Sequence, residues 1–150
     1  MKAEVFLTPA DLDPASVQGA AVAVVDVVRA TTTIVEALAN GARAIYPVAS
    51  TEDAVRLATS LGRDDTLLCG ERRSVKVEGF DLGNSPGEFE PAAVMGKRLV
   101  MSTTNGTAAL ARVEEAERVV TAAFVNLGAV ADTLRQHAHV VVVCAGRGGR

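Results

Sequence analysis

The sequence predicts an α/β protein with three layers, α/β/α, around a largely parallel or mixed sheet, as one domain over residues 1–150. Three observations carry this. Short apolar runs alternate with helical patterns along the chain, the signature of βαβ units. The hydrophobic 49% is mostly Ala, Val and Leu with 3% aromatic residues, which suits buried strands under small-residue helix faces. A shift of 75 positions also lays strand on strand: Val25 falls on Val100, Thr32 on Thr107, Arg43 on Arg118, Cys69 on Cys144 and Arg72 on Arg147. Two duplicated halves, 1–75 and 76–150, are therefore expected, against the alternative of chance likeness between generic βαβ units.

In chain order, strands are expected near Glu4–Thr8, Ala21–Val27, Ala44–Val48, Thr66–Cys69, Leu99–Ser102, Arg118–Ala122 and Val140–Cys144. Thr32–Asn40 reads as a helix stopped by Gly41. Ser50 followed by Asp53 opens a second helix through Leu61, in a loose capping box. Asn105 or Thr107 opens a third, and Asn126 a fourth running to about His137. The stretch Gly70–Glu90 has no periodicity and is too long for an ordinary connection, and its turn-rich core, anchored by Phe80 and Leu82, argues for a functional loop.

Composition excludes several classes. A net charge of -3 gives no positive field for a nucleic-acid backbone, so no nucleic acid is expected. No apolar run approaches the ~20 residues of a membrane span. Met1–Glu4 leads directly into a strand-like segment, so a cytoplasmic location is expected. Cys69 and Cys144 match neither a zinc nor a disulfide spacing and read as buried reduced thiols. His137 and His139 lack spaced ligand partners and read as structural or solvated. Whether copies associate into a homo-oligomer is open.

Ligands of open α/β sheets collect at the carboxyl ends of strands, and four segments fall there. In Asp26–Thr33, Arg29 can neutralise phosphate while Thr31, Thr32 and Thr33 donate to it. Asp26 can hold a cation or act as a base, and simple capping is the alternative. Ser102–Thr107 repeats this logic with Thr104, Asn105, Gly106 and Thr107. Glu71, Asp81 and Asn84, in the long loop with Arg72 and Ser85, offer hard oxygen ligands of the kind magnesium accepts, or merely an acidic surface. Cys144–Arg150 exits a strand with glycines and two guanidinium groups, Arg147 and Arg150, suited to bidentate anion contacts unless it is only a basic terminus. No GxxxxGK[ST], HExxH or GxSxG string is present. Asp26 has Val28 two positions on, where an aspartyl-phosphate phosphatase would carry its second Asp.

In order and spacing, Asp26-Val-Val-Arg-Ala-Thr-Thr-Thr33, Cys69-Gly-Glu-Arg72, Glu78-Gly-Phe-Asp-Leu-Gly-Asn-Ser-Pro86, Thr103-Thr-Asn-Gly-Thr107 and Cys144-Ala-Gly-Arg147 resemble the 2-phosphosulfolactate phosphatase family. The resemblance implies a Mg²⁺-dependent hydrolase that removes phosphate from 2-phospho-3-sulfolactate, a step toward coenzyme M, or from a similar small phosphorylated acid. It implies catalytic and metal-binding carboxylates drawn from Asp26, Glu71 and Asp81. Arg29, Arg72 and Arg147 would clamp the anionic groups, and the Thr-rich turns with Asn84 and Ser85 would complete the substrate site. Members of the family are longer than this chain, so part of the active site is expected to lie outside it. The competing reading is a non-catalytic module that binds a phosphorylated metabolite.

Overall fold

A computed structural model describes residues 1–148. The elements are β1 (Lys2–Phe6), β2 (Ala21–Val25), α1 (Ala30–Ala39), β3 (Ala44–Pro47), α2 (Thr51–Leu61), β4 (Thr66–Arg72), β5 (Val75–Lys76), α3 (Pro91–Val94), β6 (Arg98–Ser102), α4 (Gly106–Ala111), β7 (Arg118–Ala122), α5 (Leu127–Leu134) and β8 (His139–Cys144). Short 3₁₀ turns at Pro14–Val17, Pro86–Glu88 and Phe124–Asn126 fill connections. Among the described residues, no helix is long and apolar enough to cross a membrane.

The α/β class holds, with the strands divided over two sheets instead of one. The first has the order β1-β8-β2-β7, all parallel; the second has the order β3-β6-β4-β5, parallel except for the β4–β5 hairpin. Each sheet is covered on both faces. Val22, Val24, Val141 and Val143 pack with Ala109 and Val113 of the α4 segment, while Ala23 and Ala122 pack with Val130 of α5 on the other face. In the second sheet Leu99, Met101 and Cys69 meet Ile34 and Ala37 of α1, and the alternate residues Leu68 and Val100 meet Ala54 and Ala58 of α2. The period-2 alternation of a strand thus gives each sheet its own three-layer sandwich. Leu110 of α4 packs against both cores and joins them.

The two halves exchange strands. Central β2 pairs with β7 and β8, and central β6 pairs with β3 and β4. Ala21 lies between Arg118 and Val140, and Arg98 between Ala44 and Thr66. Matching these positions puts the central strands 98 − 21 = 77 residues apart and the flanking strands 118 − 44 = 74 and 140 − 66 = 74 apart. These separations lie within one or two residues of the shift of 75 read from the sequence.

The Gly70–Glu90 stretch is ordered, and β4 runs through its beginning. At Gly70 (φ +149°) a Cβ would lie 2.0 Å from the Ser102 carbonyl oxygen, so only glycine lets β4 pass this close to β6. Leu82 then returns beside β4 in a parallel bridge to Cys69. Glu88 closes the next turn by accepting from the Gly83 amide (2.8 Å) and the Ser85 amide (3.2 Å). Cys69 and Cys144 are both free thiols, the first buried and the second half-buried. His139 is structural: its Nε2 lies 2.8 Å from Glu4 Oε1 across the β1–β8 edge.

Candidate active site

All strands of both sheets that carry candidate residues end at one cleft of about 280 Å³, lined by Asp26, Val28, Arg29, Glu71, Arg73, Ser74, Asn84, Thr104, Asn105 and Arg147, with Gly148 at its margin. Asp26 and Arg29 leave β2, Glu71 ends β4, Thr104 and Asn105 leave β6, and Arg147 follows β8. The cleft therefore lies where the carboxyl ends of the two sheets meet, the location that open α/β sheets use for ligands. Its polarity and small size suit a compact anionic molecule. Three arginines and two acidic residues are among its lining residues.

The two carboxylates differ in role. Glu71 is buried and tied on both oxygens: the Thr104 amide donates to Oε1 (2.7 Å), and the Ser74 amide (2.6 Å) and Thr104 hydroxyl (3.1 Å) donate to Oε2. Burial pushes its pKa up, but these donors and the Arg72 charge outweigh it and hold the carboxyl below its usual range. Asp26 goes the other way. Its burial, reinforced by the Glu71 charge, outweighs the Ala30 and Arg29 amides and the Arg29 guanidinium, and its pKa is raised. Glu71 is thus an anion fixed by its donors that holds loops together, while Asp26 is the carboxylate with the greater affinity for a proton. Asn84 supplies another hard donor in the cleft lining: the residue is 6% exposed, and its Oδ1 is buried with no hydrogen-bond partner among the described residues.

The threonine-rich turns serve mainly to build this cleft. The Thr31 hydroxyl accepts from the Asp26 amide (2.9 Å) and donates to the Ala122 carbonyl (2.7 Å). Thr107 makes a similar contact, accepting from the Thr103 amide at 2.9 Å. Thr107 donates to the Thr103 carbonyl, Thr32 to the Val27 carbonyl and Thr33 to the Asn84 carbonyl. These four hydroxyls are committed to backbone, and none of the four residues lines the cleft, in contrast to the phosphate-gripping role expected of them. Thr104 and Asn105 do line it. Gly106 permits the fit: a Cβ there would lie 2.4 Å from Ala30 Cβ and 2.9 Å from Asp26 Oδ2.

Three other expected site residues sit elsewhere. Asp81 accepts from the Leu68 amide (2.7 Å) and pairs with Arg63 (3.0 Å), farther back along β4 and outside the cleft lining. Arg72 donates to the Ser102 hydroxyl (2.8 Å) and the Glu71 carbonyl (2.8 Å), because alternate residues of a strand face opposite sides. Ser85 accepts from Arg29 Nη1 at 2.6 Å and steadies that guanidinium without lining the cleft. Among the described residues no group of three His, Cys, Asp or Glu side chains converges as a metal site. Arg150 lies outside the described residues, while Arg73 and Ser74 join the cleft without having been singled out in the sequence. The adjacency of Arg72 and Arg73 was the available signal, since Arg73 leaves the strand at the hairpin turn and need not follow Arg72.

Fold and cleft together define an α/β protein with an acid-bearing, arginine-rich cleft at the junction of two largely parallel sheets. A family model described as 2-phosphosulpholactate phosphatase matches residues 6–150, and the chain belongs to this family. It is 46% identical over 130 residues to a probable 2-phosphosulfolactate phosphatase of Caldanaerobacter subterraneus subsp. tengcongensis, covering 86% of this chain and 54% of the relative. A protein of the same description from Synechococcus sp. (strain CC9605) is 48% identical over 148 residues, covering 97% of this chain and 60% of the relative. One from Thermotoga maritima is 42% identical over 127 residues, covering 85% and 54%. The chain thus spans little more than half the length of these curated relatives.

Proposed function

We propose that the polypeptide containing this chain is a cytoplasmic phosphatase that hydrolyses 2-phospho-3-sulfolactate, or a closely similar phosphorylated acid, to the hydroxy acid and phosphate. The observation that carries the reading is the convergence of Asp26, Asn84 and three arginines on one small cleft in a member of this family.

A magnesium ion fits the donor set in part. Asp26 and the unpartnered amide oxygen of Asn84 are hard oxygen donors of the type Mg²⁺ takes while keeping several waters. Asp81, committed to Leu68 and Arg63, is left out of the set, and Glu71 holds the loops. When bound, the ion would polarise a phosphoryl oxygen and lower the pKa of a coordinated water. The chain's own part is to bind and orient. Arg29, steadied by Ser85, meets charge on the phosphoryl oxygens; Thr104 and Asn105 bound the opposite wall; Glu71 fixes that wall to β4. The same reading takes the chain as a duplicated βαβαβ unit, supported by matching registers and by the similar Thr31 and Thr107 turns.

The test is phosphate release from 2-phospho-3-sulfolactate by the full-length polypeptide with Mg²⁺ or with EDTA. Metal-dependent release is expected. Ligand binding without turnover under either condition would replace the phosphatase with a binding module.

A further inference from the structure

We propose that Arg73, at the tip of the β4–β5 hairpin, determines specificity by taking the second anionic group of a phosphorylated acid, the carboxylate or sulfonate beside the phosphate. This rests on the phosphomonoester reading above.

The tip is built to hold a side chain in place. Arg72 pairs with Val75, leaving Arg73 and Ser74 as a two-residue turn with φ of 52° and 69°. Both values lie in the left-handed region, where such a turn favours Asn-Gly and a non-glycine side chain is strained. The surroundings fix the turn despite this. The Ser74 amide donates to Glu71 Oε2 (2.6 Å), the Arg73 amide to the Thr104 hydroxyl (3.2 Å), and Arg29 Nη2 to the Ser74 carbonyl (3.5 Å). The hairpin tip is thereby tied to the β6–α4 turn of one sheet and the β2–α1 turn of the other.

Of the nearby cations, Arg72 is turned away, Arg29 is steadied at the cleft wall, and Arg147 lines the cleft from beyond β8. Arg72 is bound to Ser102 and the Glu71 carbonyl, and Arg29 to Ser85 and Ser74. The Arg73 guanidinium lines the cleft, is exposed, and has no hydrogen-bond or ion-pair partner among the described residues. A phosphorylated acid brings at least two anionic groups. Arg29 is positioned for one, and the guanidinium of Arg73, with its fork of donors, meets a second across the cleft.

The variants are Arg73→Asn, which tolerates the turn and removes the charge, and Arg73→Lys, which keeps the charge. The substrates are ethyl phosphate, phospholactate and phosphosulfolactate, which carry phosphate alone, phosphate with carboxylate, and phosphate with carboxylate and sulfonate. Arg73→Asn is expected to lower kcat/KM about ten- to a hundredfold more on one or both acids than on ethyl phosphate, with partial recovery in Arg73→Lys. Equal loss on all three esters, or none on any, overturns the proposal. Calorimetric binding of 3-sulfolactate, which needs no turnover, is measured in parallel. Weaker binding by Arg73→Asn upholds the role of Arg73, and unchanged binding rejects it. If the wild type hydrolyses none of the esters, the phosphatase reading fails and the calorimetry alone decides Arg73.

Discussion

Glu71 and Asp26 share one cleft yet answer to opposite forces, hydrogen bonding in the first and burial in the second. In Glu71→Gln an amide nitrogen must replace one acceptor oxygen and face a backbone N–H, a mismatch that costs about 2 kcal/mol, read as a fall in denaturation midpoint. Because the folded-state pKa of Glu71 is depressed, its stabilisation is full above the ordinary glutamate pKa and is lost as pH falls below it. The pH-stability curve of Glu71→Gln should therefore be flatter on its acid side. Asp26 has a raised pKa, so its contribution favours the fold at low pH and declines as pH rises through the folded-state value. Asp26→Asn is expected to raise the melting temperature at neutral pH in EDTA, and a lower one would contradict this assignment of forces. Asp26, Arg29 and Arg147 were legible because they follow apolar strands directly. Arg73 and Asp81 were not, since only the direction of each side chain on and beside β4 separates cleft from back surface.

At the scale of elements, the two Thr turns were found where the sequence put them, but the hydroxyls of Thr31, Thr32, Thr33 and Thr107 close the turns and only Thr104 lines the cleft with Asn105. A run of Thr before a helix cannot reveal whether its hydroxyls meet a phosphate or a carbonyl, because both are oxygen acceptors. The β4–β5 hairpin escaped notice because Arg73-Ser74 lacks the Asn-Gly signal of such turns. Gly106 is the sharpest test of element packing. In Gly106→Ala the new methyl would press on Ala30 and on Asp26 Oδ2, so a loss of about 1–3 kcal/mol and a drop in kcat are expected. Wild-type stability and turnover together would show that the α4 terminus does not set the position of Asp26.

The whole molecule is held by the exchange of strands, which places the cleft between halves that cannot form it alone. Alternation of strand and helix made the α/β class legible, while the exchange was not, because strand order depends on pairing across more than a hundred residues, as for Ala21 with Val140. Residues 1–75 and 76–150 expressed separately should each remain unfolded, and mixing them should restore the far-ultraviolet circular dichroism of the intact chain. In the proposed reaction the shared cleft hydrolyses a phosphomonoester through Asp26. Its most direct test is the kcat for phosphate release from 2-phospho-3-sulfolactate at saturating Mg²⁺, compared between wild type and Asp26→Asn in the full-length polypeptide. A fall of about a thousandfold or more with the fold intact is predicted, and an unchanged kcat would contradict the claim.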